Sequence, residues 1–520
     1  MSSLVWLVIS LGGAMLLHRY YFKERIQNLQ TPPGAHWLWG HEKAAFDETC
    51  GAFYSRWFEQ YGPAFKIRGA FGYGEILVVG DPEALAHIFI RRTYDYVKSP
   101  VFRPLIERLL GRSVIWVEDA DEHSRMRRFM SPCFTAQQIR ANTNEIASAT
   151  RQFEQKLRDY VVSQNGNATI NLLDWTWKVT LDIIGQVGFS HDFRCGESED
   201  GKAIAKAWHD QVNMAMNFGG FVAPLLIRQF PWIVNLPVEA IQAPGKVKTI
   251  VKRLGKEFIE RQETVNGTDL LSVLIRENSR VARDEQDSTD QLLDHTCTFV
   301  MAGHETVAGA LNYTLWELAK NPSIQDKLRA ELQAFDGEPT YDDFQRPSLA
   351  YLDAVLKEIL RLHGPSSHME KVALKDDVIP FSLPVRGKDG KLVTSIPIKA
   401  GQMIYIPSIS AQRLSSVWGD GDVFRPERWL APNELPPDSV LHKGWSKLFA
   451  FSQGARNCIG TRLAIYEYKV VLTTLIRNFV FHDTGAEILS RFTASLQPRV
   501  VGKEQDGPAL PCRITLSAVN

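Results

Sequence analysis

Hydrophobic and polar positions change rhythm several times along this chain. Residues 4–17 form an uncharged apolar run with a single hydroxyl, Ser10; His18, Arg19, Tyr20, Tyr21 and Phe22 follow, then Lys23 and Arg25. Short β-type runs occupy Ala64–Arg68 and Glu75–Val79, the second closed by Gly80-Asp81-Pro82, and both predict strands. A second strand cluster is predicted over residues 378–406, where Val, Ile and Pro flank the turn Gly387-Lys388-Asp389-Gly390. Most of the remainder carries apolar residues at helical spacing. The longest such stretch starts near Ser288, with Gln291 three residues on as in a capping box, and stops at Asn321-Pro322. A helix of about 30 residues would be ~45 Å long, enough to cross the molecule. No internal repeat, low-complexity tract or linker interrupts residues 35–520. The pattern predicts a mainly α-helical body with small β-sheets at one side, folded as one large domain despite its length.

The apolar run at residues 4–17 is short for a bilayer span of ~20 residues. It approaches that length when the aromatic residues at 20–22 are counted as an interfacial belt. Basic residues follow it and none precedes it, which places the main body on the cytosolic side. We read residues 1–30 as a membrane anchor with a basic stop region, and residues 31–520 as the main body. A cleaved signal peptide is the rival, but there is no basic n-region, and large residues rather than a small-x-small site follow the run. Thr31-Pro32-Pro33-Gly34 reads as a stiff hinge between the two parts or as an ordinary loop. Residues 217–236 are rich in Phe, Leu, Ile and Trp and broken by Gly and Pro; buried core is the default reading. Residues 100–118 read as a mixed apolar loop before a basic helix, and residues 432–437 as a meander.

Lys+Arg and Asp+Glu both number 59 among the 520 residues, so nothing in the charge argues for a nucleic-acid partner. Six cysteines are widely scattered with no CxxC pair, which suits a reducing compartment rather than a disulfide framework.

One of those cysteines stands apart. Phe451-Ser452-Gln453-Gly454-Ala455-Arg456-Asn457-Cys458-Ile459-Gly460 flanks a single thiol with two glycines and leads into a helical run over residues 461–476. Gly454 allows a tight turn and close backbone approach to a cofactor. Surrounding amides and the positive end of the following helix lower a thiol pKa. Arg456 offers a planar fork to a carboxylate. For an isolated cysteine, an inert buried position is the ordinary reading; a thiolate presented to a large planar metal cofactor is the reading this loop favours. Upstream, Ala302-Gly303-His304-Glu305-Thr306 sits inside the long apolar helix. Gly303 lets a ligand approach the backbone, and Glu305 and Thr306 form an acid–alcohol pair suited to delivering protons from the solvent side. The rival is a threonine bonded back to its own helix and a glutamate in an ion pair. Glu358 and Arg361 stand at i and i+3 on a helix predicted over residues 349–363, which alone means little. His123 and Arg127 share one face of a basic helix; a plain basic surface is the rival.

Together these motifs resemble the cytochrome P-450 family, and the resemblance runs over nearly the whole chain. The Cys458 loop is similar to the family's haem-binding signature, residues 302–306 to its A-G-x-[DE]-T pattern, and Phe424-Arg425-Pro426-Glu427-Arg428-Trp429 to its FxPERF motif, with Trp in place of the final Phe. The resemblance implies the cytochrome P-450 fold, haem b as cofactor, and Cys458 as the axial iron ligand. It places Phe451, Gly454 and Arg456 around the haem, with Arg127 and His123 reaching the propionates; His123 stands where relatives carry Trp. Lys371 falls where an arginine is expected. Gly303, Glu305 and Thr306 are implied as the oxygen-activating residues. Glu358, Arg361 and Arg428 are implied as a buried charge network holding the Cys458 loop, worth ~3–5 kcal/mol on loss of one partner. Residues 217–236 become a lid over the substrate channel that dips into the bilayer, and residues 100–118 the roof of the distal pocket.

The expected activity is insertion of one oxygen atom from dioxygen into a lipophilic substrate, at an endoplasmic reticulum membrane with the body in the cytosol. No dinucleotide- or flavin-binding unit is visible, so electrons are expected from NADPH through a separate flavoprotein reductase, with cytochrome b5 as a further donor. Arg125 and Arg128 would face an acidic redox partner. Residues 373–380 and 418–429 resemble fungal members, many of which oxidise terpenoids in secondary metabolism. Fatty acid or sterol hydroxylation, a peroxide-using haem-thiolate enzyme and a non-catalytic haem sensor are the alternatives; the Glu305-Thr306 pair argues against the last two.

Overall fold

The computed structural model describes residues 26, 28–236, 245–261, 267–284, 286–493 and 495–517. The helices that frame the site are α1 (Phe102–Leu110), α2 (Ala120–Met130), α3 (Leu172–Phe189), α4 (Phe218–Gln229), α5 (Thr289–Lys320), α6 (Ala350–Leu362) and α7 (Thr461–Asn478). The strands are β1 (Ala64–Arg68), β2 (Glu75–Val79), β3 (Tyr96–Lys98), β4 (Asn167–Asn171), β5 (Met369–Ala373), β6 (Asp377–Arg386), β7 (Leu392–Ile398), β8 (Met403–Ile406), β9 (Phe479–His482), β10 (Ile488–Phe492), β11 (Leu496–Val500) and β12 (Pro511–Leu516). They form a five-stranded sheet in the order β1-β2-β8-β5-β3, a three-stranded sheet β4-β12-β9, and the pairs β6-β7 and β10-β11. The body is mainly helical with small sheets, as the pattern of apolar positions predicts.

Helix α5 is the axis of the core. Its apolar residues cover nearly all faces, from Leu292 and Leu293 to Leu315 and Leu318, so it is buried along most of its length. Its most extensive packing is against α3. The Ser288 hydroxyl accepts from the Gln291 amide at 3.3 Å, as expected of the cap. The reciprocal half of a capping box is not made: the Gln291 side chain donates instead to the Arg112 carbonyl. Polar residues inside this helix find partners on neighbours, Asn312 with Thr176 at 2.7 Å and Thr314 with Tyr468 at 2.7 Å.

Three expectations are corrected. Residues 100–118 contain a helix, α1, rather than only loop. Strands are not confined to two regions, because β9 to β12, near the end of the sequence, and β4, at Asn167–Asn171, build further sheets. These strands are short, and a pairing between β4 and β12 joins residues more than 300 positions apart, which no local pattern reveals. Residues 217–236 form α4, with Pro224 inside it, and a short turn over Pro231–Asn235. Phe221, Leu225 and Ile227 are buried, while Phe218, Phe230 and Trp232 are exposed. Residues 4–17 lie outside the described residues. Among the described residues no helix is long and apolar enough to cross a membrane.

Candidate active site

A cavity of about 500 Å³ lies between α5 and the loop carrying Cys458. The loop is shaped by its own backbone. The Cys458 amide donates to the Phe451 carbonyl at 2.9 Å, and the Thr461 hydroxyl donates to the Cys458 carbonyl at 2.9 Å. Ser452 and Gly454 adopt positive φ. Gly454 is required here because a Cβ on it would overlap the Phe89 carbonyl oxygen. The close approach is to the π-helical turn His87–Arg91, so this glycine lets the loop seat against that backbone. Phe451 lines the cavity and meets Trp445 edge-on, with ring centroids 5.4 Å apart.

Cys458 has accessible surface because it opens onto the cavity, although it sits deep in the protein. Burial pushes its thiol above the ordinary value, while the Gly460 amide, the Thr461 hydroxyl and the Arg127 charge act in the opposite direction. The sequence pattern points to a lowered pKa, and the structure corrects this: desolvation of the thiolate outweighs the amides and helix end. A metal cation at the sulfur reverses that balance.

The cavity wall beside the loop is cationic. Lys98, His123, Arg127, Lys371 and Arg456 all line it, and Glu118 lies against them, 3.1 Å from Lys98 and 3.6 Å from Arg456. Arg127 is committed to Asn457, through its carbonyl at 2.6 Å and its side-chain oxygen. Arg456 donates to the carbonyls of Val117 and Glu118 at 2.7 and 2.9 Å, leaving its buried Nε without a partner. The His123 Nδ1 lies 3.0 Å from the Tyr94 hydroxyl. Burial, then the charges of Arg456, Arg127 and Lys98, lower His123 to about 4. Burial, then Lys98, lowers Lys371 to about 7. Cations that depress one another in this way leave room for anionic groups. Among the described residues no three His, Cys, Asp or Glu side chains are grouped to hold a metal ion. The site therefore fits a metal that arrives within a planar carrier bearing carboxylate arms, with Cys458 as its protein ligand.

On α5, Ala302, Gly303 and Thr306 line the same cavity. The Thr306 hydroxyl donates to the Ala302 carbonyl at 2.7 Å, the back-bond that sequence reasoning held as the alternative. Its oxygen lone pairs remain available on the cavity side. Gly303 also serves helix packing: a Cβ there would stand 2.9 Å from Ile184 Cδ1 on α3. Glu305 departs from expectation more strongly. It is 6% exposed and faces away from solvent. Its Oε1 accepts from Ser495 at 2.7 Å and from Gln497 at 3.0 Å, with no cation in contact. Burial raises it to about 8, against the two hydrogen bonds, so at neutral pH it carries a proton. The expectation of a solvent-side acid fails because the β10–β11 hairpin covers this part of α5. His304 is buried between Trp177 and Trp208, its Nδ1 bonded to the Val300 carbonyl at 2.9 Å.

Glu358, Arg361 and Arg428 meet in full burial, as the sequence resemblance implies. Arg361 spans both Glu358 oxygens at 2.8 and 3.0 Å, and Arg428 Nε is 3.0 Å from Glu358 Oε1. Trp429, which departs from the usual Phe, donates its indole N–H to Glu358 Oε2 at 2.9 Å. Sequence reasoning did not find Lys98, Ser495, Gln497, His368 or Glu370. None carries a local motif, and each reaches the site through long-range packing.

The family model for Cytochrome P450 matches residues 30–499. The chain is 32% identical to "Cytochrome P450 monooxygenase claQ" of Ampulloclitocybe clavipes over 480 residues, covering 89% of this chain and 88% of that relative. It is 33% identical to "Cytochrome P450 monooxygenase claO" of the same fungus over 482 residues, with the same coverage. It is 30% identical to "Cytochrome P450 monooxygenase 205" of Postia placenta over 518 residues, covering 94% and 92%. With a cavity that joins a single thiol loop to an acid–alcohol helix, and a family match across that whole body, this chain belongs to the cytochrome P450 family of monooxygenases.

Proposed function

We propose that this monooxygenase oxidises a lipophilic small molecule, with a terpenoid of fungal secondary metabolism as the substrate class, using electrons from NADPH delivered by a separate flavoprotein reductase. The observation that carries the reading is the shared cavity: Cys458 and the cationic wall stand on the loop side, and Thr306 stands on α5. The family's cofactor is haem, which when bound supplies the reductive cleavage of dioxygen. Cys458 would hold it through its thiolate, the ligand type that favours O–O cleavage. Arg456, Lys98 and His123, with the charge of Arg127 beside them, would hold its carboxylate arms, and the Arg456 Nε, unpaired among the described residues, is a ready donor. Lys371, on the same wall, adds charge there.

Thr306 orients water on the cavity side by accepting a hydrogen bond while its own proton is held by Ala302. Glu305 keeps a proton in reserve at neutral pH, and Ser495 and Gln497 fix its carboxyl orientation. The apolar side chains of Phe102, Ile106, Val114, Ile115 and Phe299 line the rest of the cavity and exclude water. Fatty acids and sterols fit the same apolar lining and remain the competing substrate classes.

The direct test is spectroscopic. The reduced holoprotein with carbon monoxide should show the red-shifted Soret band of thiolate ligation, and Cys458→His should abolish both the band and oxygenation. A band that survives Cys458→His refutes the ligand assignment.

A further inference from the structure

Besides the cationic wall and Thr306, the cavity holds two further polar side chains close together that the chemistry above does not use. His368, just before β5, and Glu370, within it, lie two residues apart and line the cavity. Strand β5 pairs with β8 so that Glu370 is opposite Tyr405. His368 stacks on that same tyrosine, with centroids 4.8 Å apart at 22°, and meets Phe492 edge-on at 4.1 Å. The two side chains therefore share one face of the sheet. Those ring contacts fix the imidazole. Among the described residues it has no hydrogen-bond partner, its Nδ1 being buried and unpaired, so the ring surface left open is toward the cavity. Beside Glu370 stands Ser99, whose buried hydroxyl has no partner meeting hydrogen-bond geometry.

The imidazole is neutral in this setting. Burial lowers His368 to about 3. Burial raises Glu370 above its ordinary value, more than the Arg228 charge and Ser99 lower it. Arg228 itself is taken: it forms a two-pronged pair with Glu42 at 2.6 and 2.7 Å. The imidazole accepts or donates according to its tautomer, and the Glu370 carboxyl accepts, or donates when it carries a proton. A hydroxyl, which both donates and accepts, can engage the two side chains at once, whereas a hydrocarbon leaves the imidazole without a partner.

We propose that His368 and Glu370 form a hydroxyl-binding subsite, so that the substrate is a lipophilic alcohol whose existing oxygen is held at β5. This deepens the lipophilic-substrate reading and rests on it. It also places the enzyme after a reaction that installs an alcohol, by hydration, hydrolysis or an earlier hydroxylation.

The test uses the full-length holoprotein in detergent. Two probe pairs, farnesol against farnesene and hexadecanol against hexadecane, are titrated by the substrate-induced spectral shift and by calorimetry. The quantity read is the alcohol-to-hydrocarbon affinity ratio, compared between wild type and variants so that differences in water solubility cancel. His368→Phe keeps both ring contacts and should lower the ratio about tenfold, the value of one net hydrogen bond. Glu370→Met should lower it by a similar factor. An unchanged ratio in both variants, or no binding of either pair by the wild type, overturns the proposal. The carbon monoxide band of the same preparations reports separately on the haem-thiolate reading: an intact band with an unchanged ratio sinks only the subsite.

Discussion

Removing the charge of Glu358 should unsettle the whole Cys458 side of the molecule. Glu358 is fully buried. Its Oε1 accepts from Arg361 at 2.8 Å, from Arg428 at 3.0 Å and from the Arg425 amide at 3.0 Å; its Oε2 accepts from Arg361 at 3.0 Å and Trp429 at 2.9 Å. Glu358→Gln preserves size but leaves two buried guanidiniums with one remaining carboxylate partner, Asp420, 2.8 Å from Arg428. Uncompensated buried charge costs about 3–5 kcal/mol, a large fraction of the 5–15 kcal/mol typical of a folded domain. Trp429→Phe is the graded control: it removes one donor to a charged acceptor, about 1.5–3 kcal/mol, and leaves the ion pairs in place. Urea unfolding of the holoprotein, followed by loss of the thiolate carbon monoxide band, measures both. A loss below about 1 kcal/mol for Glu358→Gln, or an equal loss for Trp429→Phe, refutes the view that charge neutralisation is what this cluster supplies.

Thr306→Ala should leave the carbon monoxide spectrum intact while diverting NADPH oxidation to hydrogen peroxide; product should fall by roughly 10²-fold or more, or somewhat less if water substitutes, and an unchanged product-to-NADPH ratio would make Thr306 a packing residue. Glu305 is raised from 4.5 to about 8 in the folded protein, so between those values the folded state holds a proton that the unfolded state has released. Wild-type stability should therefore fall as pH rises through that window and level off above it, whereas Glu305→Gln should lack this slope; parallel curves from urea unfolding at stepped pH would refute the buried-acid reading. Deleting residues 1–30 should release the protein from membranes only in part, because exposed Phe218, Phe230 and Trp232 retain surface affinity; complete solubility without detergent in a sedimentation assay would refute a membrane-dipping lid.

The sequence by itself determined the elements whose signals are local. β1 and β2 occupy the predicted residues, because alternating apolar runs closed by Gly-Asp-Pro leave few other conformations. Helix α5 starts at its Ser288 cap and ends at Asn321-Pro322, because capping and proline act within a few residues. The thiol loop and the acid–alcohol helix were likewise legible, since glycine spacing and buried polar residues in an apolar run are features of consecutive positions.

Tertiary structure decided the rest. Which way Glu305 points depends on a hairpin some 190 residues away in the chain, so its change from a solvent-side acid to a protonated buried one was invisible in residues 302–306. Gly454 was recognised as a turn, but the backbone it clears belongs to Phe89. The Cys458 thiol rises rather than falls because desolvation is set by everything that encloses the cavity. The cationic wall draws Lys98, His123, Lys371 and Arg456 from four separate segments. Local patterning fixes which residues are helical or extended, but charge balance and burial are sums over neighbours that only the folded chain brings together.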